Sequence, residues 1–487
     1  MNTIVYKIQE NKVVKWVLSI SLLLFFAYYI GKMMLNPGMI RLLLASAIVL
    51  ILFAVSRRKP AVTIYALIVF LPFLGIIRRI LIPVAGWSSN DPIVIIGPSI
   101  VLLLTAKWFY EKYIRRETIA NDTQLFRLVR AMIIVDVIQI FNPLQGSLLT
   151  GIAGAIFYTV PVCYMVIGRE YFNENWLKRI YATVFFIGII AAVYGYKQFW
   201  FGLYPFEEAW VELSGYTALK VYDVTRPISM FSNAAEYAHY LGVAAVIGWG
   251  YFLRGKYSTK IIALISVAVL YSALFIESGR GIIVTTTVAL TIMTILSVKT
   301  VVSRLLISCI AFASLLGLFA VMSKLNTEND LIYHSVSGLT DPFGEHSTLP
   351  GHIDLLFAGL IKGIMNPLGY GLGSTTIAAG KFTGSIISSE VDFSNKFLAT
   401  GIIGGVIYLT IIIKTSLLAM KQAISGSSTH LIILGIVITE GANWLTGGHY
   451  SVVPLIWISI AFLDITSAVS NKKMTNLGET KNIKELR

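Results

Sequence analysis

Only 13% of the 487 residues are charged, few enough to read one by one. Three groups have types and spacings that could do chemistry. The first is Glu277-Ser278-Gly279-Arg280-Gly281, a tight turn between two apolar runs. Its glycines let the backbone bend and a ligand approach closely, and Glu277 is expected to orient Arg280 through a charge-assisted pair. The ordinary alternative is an interfacial arginine capping a helical hairpin. The second group follows Arg226 in RPISMFSNAAEYAHYL, which supplies Ser232, Asn233, Glu236 and His239. Helical spacing puts Glu236 and Tyr240 on one face, with Asn233 a turn earlier; the bland reading is an interhelical hydrogen-bond network. The third group is Glu390, Asp392, Ser394, Asn395 and Lys396, just before FLATGIIGG. A carboxylate held beside apolar residues can have a raised pKa and act as a base, whereas a solvated loop end would leave it inert. Glu440 near Asn443, His449 in GGHY, and His334, His346 and His352 are further candidates. A lone histidine reads first as an ordinary surface residue.

Two guanidiniums at a lipid–water boundary suit a diphosphate carried on a lipid. Arginine binds phosphate oxygens bidentately and keeps its charge, and a departing diphosphate builds up negative charge that such a fork stabilises. A nearby base could then take the proton of an attacking sugar hydroxyl. No zinc spacing, phosphate loop or catalytic-serine elbow is present, so no metal or cofactor is expected.

The elements that position these groups follow from composition. The chain is 56% hydrophobic and 12% aromatic, against about 25% charged residues in a soluble domain. Too few polar residues exist to coat soluble cores of this length. A spanning helix needs about 20 mostly apolar residues. That ruler finds about fourteen candidates, near 15–35, 39–56, 61–82, 92–110, 125–142, 148–167, 180–201, 231–253, 260–276, 281–298, 303–323, 393–414, 429–446 and 449–469. The expected fold is an all-α integral membrane protein, a single polytopic domain over 1–487. The first span runs too promptly into a second for a cleaved signal peptide. Cys163 and Cys309 both sit in apolar runs and form no ligand spacing.

The net charge of +14 raises nucleic acid as a partner, but the positive-inside rule explains it better. With a cytoplasmic N-terminus, alternate connectors from Lys7 to Arg487 hold 27 of the 39 lysines and arginines. Both termini are therefore expected in the cytoplasm, with residues 470–487 a cytoplasmic tail and nucleic acid no partner. Two outward segments are long, roughly 202–230 and 324–392. The first is rich in Glu207, Glu208, Trp210, Glu212 and Asp223. Within the second, IDLLFAGLIKGIM has helical apolar spacing, and Lys362 followed by NPLGYGLG keeps it from being a span. It reads as an amphipathic helix on the outer leaflet, in a large loop that packs back on the bundle. No six-plus-six or inverted repeat of the kind many transporters show is visible.

In order and sidedness these features resemble the O-antigen polymerase and O-antigen ligase family of membrane glycosyltransferases. The matching pieces are the Arg-Pro…Phe-Ser-Asn run at Arg226–Asn233, the Ser-Gly-Arg-Gly turn at Arg280, and the late loop containing GHIDLLFAGLIKGIMNPLGYGLG before Gly401, Gly404 and Gly405. QIFNPLQGS from Gln139 to Ser147, followed by Pro161, is similar to exopolysaccharide members. The resemblance covers roughly 139–408. It implies a GT-C-like, metal-independent, inverting glycosyltransferase of polysaccharide or lipopolysaccharide biosynthesis. Such an enzyme works on the outer side of the bacterial cytoplasmic (inner) membrane. The partner would be an oligosaccharide on undecaprenyl diphosphate within the lipid bilayer, with a chain-length regulator a further possible partner. It also implies that Arg226 and Arg280 hold the diphosphate; the residue reading adds Glu277, Asn233 and Glu236 to the expected substrate site. Where the family often carries a His-Asn pair, this sequence has Glu390 and Val391. The base then falls to Glu390, Asp392 or His352, and the reading leans to a polymerase of repeat units over a ligase. A lipid-linked sugar flippase, or a peptidoglycan polymerase of the shape-and-division class, are the competing expectations.

Overall fold

The computed structural model describes residue 21 and residues 37–485, apart from 325–326, 345–346, 388, 390, 425–426, 442 and 446–448. The first candidate span, His346 and Glu390 lie outside the described residues. The described chain is helical except for one small hairpin. In order, the helices are α1 (Pro37–Ser56), α2 (Pro60–Ile80), α3 (Pro92–Ile114), α4 (Gln124–Gln139), α5 (Leu148–Tyr171), α6 (Glu174–Phe201) and α7 (Pro205–Ser214). The hairpin β1 (Lys220–Val221) and β2 (Val224–Thr225) comes next. Then follow α8 (Ala234–Arg254), α9 (Tyr257–Glu277), α10 (Arg280–Ser297), α11 (Val301–Met322), α12 (Asp330–Thr340), α13 (Leu349–Met365) and α14 (Ile377–Thr383). The last three are α15 (Asp392–Ile424), α16 (Ser428–Thr439) and α17 (Val453–Glu485).

Among the described residues, nine helices (α1, α2, α3, α5, α6, α9, α10, α11 and α15) are long and apolar enough to cross a membrane. Burial sorts them by place. In α8 every residue from Glu236 to Gly248 is buried, as expected of a helix apolar on all sides at the centre of a bundle. At the other extreme α11 has no buried residue, so its Leu, Val, Ile and Phe side chains suit lipid. Hydrogen bonds sort the turns into two ends. At one end Lys381 meets Ser89, Arg226 meets Glu277, Ser278 meets His334 and Ser451 meets Glu236. At the other, Asp464 takes Arg169 and Thr123, and Gln124 takes Lys414.

Two of the expected spans are built differently. The 429–446 candidate stops at Thr439, where Gly441 adopts φ 49°. Twelve helical residues cover ~18 Å, short of the roughly 30 Å hydrocarbon layer. The described residues after Thr439 and before Val453 are not helical, and Trp444, Leu445 and Val452 among them are buried. Such backbone survives at depth only where protein groups satisfy it. Asp392 accepts from Leu445 N at 2.6 Å and Glu236 from Ser451 N at 3.0 Å. The second difference is a break in α15 at Gly401 (φ 67°, ψ −164°). The break frees the Leu398 and Ala399 carbonyls, which accept from Tyr370 N and Gly371 N at 2.8 and 3.0 Å. Asn142 Nδ2 also donates to Gly369 O (3.0 Å) and Gly373 N to Gln145 Oε1 (3.1 Å). The QIFNPLQGS and NPLGYGLG segments thus interlock.

Between Lys324 and Asp392 the described residues form α12, α13 and α14, set against the bundle. The amphipathic helix expected over 353–365 is α13, and Gly359 and Gly363 bring it against α15. A Cβ on Gly363 would lie 2.7 Å from Phe397 Cβ, so only glycine allows that approach.

Candidate functional site

Three distant segments converge at the loop-rich end. The β1–β2 hairpin delivers Arg226, whose N–H donates to Leu219 O at 2.8 Å. The residues after it are pinned from below. Gln198 Oε1 accepts from Ile228 N (2.9 Å) and Ser229 N (2.6 Å), and Arg79 Nη2 donates to Ser229 O at 2.5 Å. Arg79 itself pairs with Glu207 at 3.4 Å, both fully buried. Glu207 also accepts from Tyr194 Oη, Gln198 Nε2 and Tyr204 N. A buried pair of this kind is a positioning device whose charges are costly to leave alone.

Arg226 Nη2 donates to Glu277 Oε1 at 2.5 Å, Nε to the Glu277 carbonyl at 3.0 Å, and Nη1 to Ala218 O at 3.2 Å. The expected Glu277–Arg280 pair is therefore corrected: Glu277, at the buried end of α9, holds Arg226. Ser278 is the reason. It sits at φ 73°, a left-handed conformation that sends the chain back into α10 with Arg280 facing the loop side. There Arg280 lies across Gly338 of α12, and its Nη2 donates to Thr348 Oγ1 at 2.9 Å. Of the five N–H groups of a guanidinium, Arg226 spends three and Arg280 one on bonds among the described residues.

The third segment is α12. Its side chain His334 shares a 2.6 Å hydrogen bond between Nδ1 and Ser278 Oγ, and its ring lies 6.4 Å from that of Tyr222. Ser335 Oγ donates to Phe275 O at 3.0 Å, fastening α12 to α9. Burial, then the nearby Arg280 and Arg226, push the His334 imidazole down to about 4, so it is neutral at physiological pH. His352 is one turn beyond Thr348 on the exposed start of α13, its N–H donating to Thr348 O at 3.1 Å.

Arg226, Glu277 and Arg280 are thus brought together, and His334 with them. Several of the other candidates among the described residues are committed elsewhere. Asn233 caps α8, its Oδ1 accepting from Glu236 N at 2.7 Å. Glu236 accepts from Ser232 N and from Ser451 N and Oγ. Asp392 holds Leu445 N. Asn395 accepts from Ser389 N, and Lys396 forms a fully buried pair with Asp136 across α15 and α4. His239 Nδ1 bonds Glu440 Oε2 at 2.8 Å, with the His449 ring tilted against it at a centroid distance of 3.9 Å. Among the described residues no group of three or more His, Cys, Asp or Glu side chains could hold a metal ion.

Sequence reading passed over Arg78, Arg79 and Asp136, and named Glu207 only as part of an acidic segment. The signal was there for three: Arg78 and Arg79 lie inside the 61–82 candidate and Asp136 inside 125–142, and charge within a span rarely lacks a role. Fold and site together define an all-helical, multi-pass membrane protein with a paired-arginine turn at one end. No model of a known family matches the chain, and comparison with curated proteins gives no match.

Proposed function

We propose that the chain is a membrane glycosyltransferase that polymerises O-antigen or exopolysaccharide repeat units carried on undecaprenyl diphosphate. The convergence of Arg226, Arg280 and His334 from three distant segments carries this reading. In the orientation the lysine and arginine bias favours, that end faces outward, where lipid-linked repeat units would be joined.

The unspent N–H groups of Arg226 and Arg280 would take the diphosphate oxygens of the donor. With Nδ1–H donating to Ser278, His334 Nε2 is free to accept the proton of an acceptor hydroxyl. The hydroxyl oxygen then bonds the donor's anomeric carbon, the carbon–oxygen bond to diphosphate breaks, and its electron pair leaves with undecaprenyl diphosphate under the two guanidiniums. Attack opposite the leaving group inverts the anomeric centre. His334 replaces Glu390, Asp392 and His352 as the preferred base, because Asp392 is tied to the backbone and His334 stands beside both arginines.

The test uses purified protein in nanodiscs supplied with undecaprenyl-diphosphate repeat units extracted from a host lacking this chain. Wild type should build a ladder of lengthened glycans. Arg280→Ala and His334→Ala, equally well folded, should not. A full ladder from Arg280→Ala overturns the reading, as does wild type that carries the lipid across vesicles and never lengthens it.

A further inference from the structure

A cleft of about 340 Å³ opens on the far side of Arg226, lined by Gln198, Phe199, Leu203, Glu208, Thr225 and Asn329 among others. Its volume lies at the low end of the roughly 300–1,000 Å³ range of small-ligand sites. Gln198 is saturated by Glu207 and by the backbone it pins. Other polar groups keep capacity. The Glu208 carboxylate makes no side-chain hydrogen bond or ion pair among the described residues. The Thr225 hydroxyl is likewise unengaged there. Asn329 uses Oδ1 to cap α12, accepting from Ile332 N at 3.2 Å, which leaves its amide N–H groups. Arg226, whose two remaining N–H groups the donor diphosphate would take, forms the wall shared with the arginine turn.

These groups supply both acceptors and donors, against an apolar wall from Phe199 and Leu203. Their charge does not favour an anion: the Glu208 carboxylate lies on the lining, and the Arg226 cation is already met by Glu277. A neutral, hydroxyl-rich ligand suits such a lining better than a phosphate does. Leu331, also on the wall, stands one turn before His334 on α12, so a ligand here has a short path to that imidazole.

We propose that this cleft is the acceptor-glycan subsite, binding the non-reducing sugar of the acceptor chain with its attacking hydroxyl turned towards His334. The proposal rests on the glycosyltransferase reading and names which substrate lies on which side of Arg226. Donor diphosphate takes the Arg280 side and acceptor sugar the Glu208 side.

The test uses full-length protein in nanodiscs and two probes: radiolabelled undecaprenyl diphosphate, and the free repeat-unit oligosaccharide released from the host lipid by mild acid. Glu208→Gln, Asn329→Ala and Phe199→Leu are each expected to weaken oligosaccharide binding and raise the acceptor KM about tenfold. Undecaprenyl diphosphate binding should stay within twofold of wild type. Oligosaccharide binding unchanged in all three variants, with wild-type polymerisation intact, overturns the subsite and leaves the enzymatic reading standing. Tighter undecaprenyl diphosphate binding by Glu208→Gln also overturns it, because the anion would then lie in the cleft. Wild type that binds neither probe and makes no ladder overturns both.

Discussion

Gly338→Ala changes no charge and touches no proposed substrate group, yet it should disable the site. A Cβ at Gly338 would lie 2.7 Å from Arg280 Cζ and closer still to Nη1 and Cδ. Ordinary contact begins near 3.4 Å, so Cζ must retreat about 0.7 Å and Nη1 further. Because Cδ is also struck, rotating the tip alone does not relieve the clash; the whole guanidinium must swing away from the turn. A misplacement of about 1 Å in a positioning group can cost about 100-fold in rate, or roughly 2.7 kcal/mol of barrier. The expected loss in kcat/KM for ladder formation is therefore between about 10- and 100-fold. Stability should move the other way, since Ala is better than Gly by about 1 kcal/mol inside a helix and position 338 is within α12. Melting in detergent separates the two effects. A variant at least as stable as wild type, with activity within twofold of it, would refute the idea that Arg280 must lie where Gly338 allows it.

The His334 imidazole, held down to about 4, should give kcat/KM an acid limb well below the ordinary histidine value of about 6.5. Bound diphosphate should move the limb of kcat upward; coincident limbs near 6.5 would contradict the account. On stability, the unfolded chain takes up a proton between about pH 6.5 and 4 that folded His334 refuses, so stability falls as pH drops through that window. The size is about 1 kcal/mol after discounting for its half-exposed setting, and His334→Gln should flatten that slope in melting curves. Ser278→Gly removes the hydroxyl that orients His334 while relieving a left-handed φ of 73°. It should lower kcat about tenfold with no loss of melting temperature, and unchanged kcat would remove Ser278 from the account. Asp136→Asn should cost about 3–5 kcal/mol by leaving Lys396 buried alone, while Asp136→Leu with Lys396→Met should recover most of it. If the double variant is no better than the single, the pair is more than a lock between α4 and α15.

The scarcity of charge made Arg226, Glu277 and Arg280 conspicuous in the sequence, and the structure does gather them. Their pairing was not legible. Which arginine Glu277 takes depends on the Ser278 backbone and on a hairpin that carries Arg226 in from fifty residues away. His334 looked like any loop histidine, because its distinction is purely tertiary: two guanidiniums and a serine arranged around it. Glu236 and Asp392 misled for a physical reason. In a bilayer non-helical backbone such as that at Leu445 and Ser451 needs acceptors for its N–H groups, and these carboxylates supply them. The helices themselves were plain from apolar run length. The shortness of α16 was not, since the sequence after Thr439 is apolar enough to extend a span, and only tertiary packing shows Trp444, Leu445 and Val452 buried beyond the end of the helix.

The central claim is that Arg226 and Arg280 together hold a lipid diphosphate. Undecaprenyl diphosphate titrated onto the protein in nanodiscs, against Arg226→Gln and Arg280→Ala, tests it most directly. Hydrogen bonds to charged groups contribute about 1.5–3 kcal/mol each, so each substitution should weaken binding at least about tenfold. High salt should also weaken wild-type binding more than that of either variant. Equal affinity across all three proteins would contradict the account.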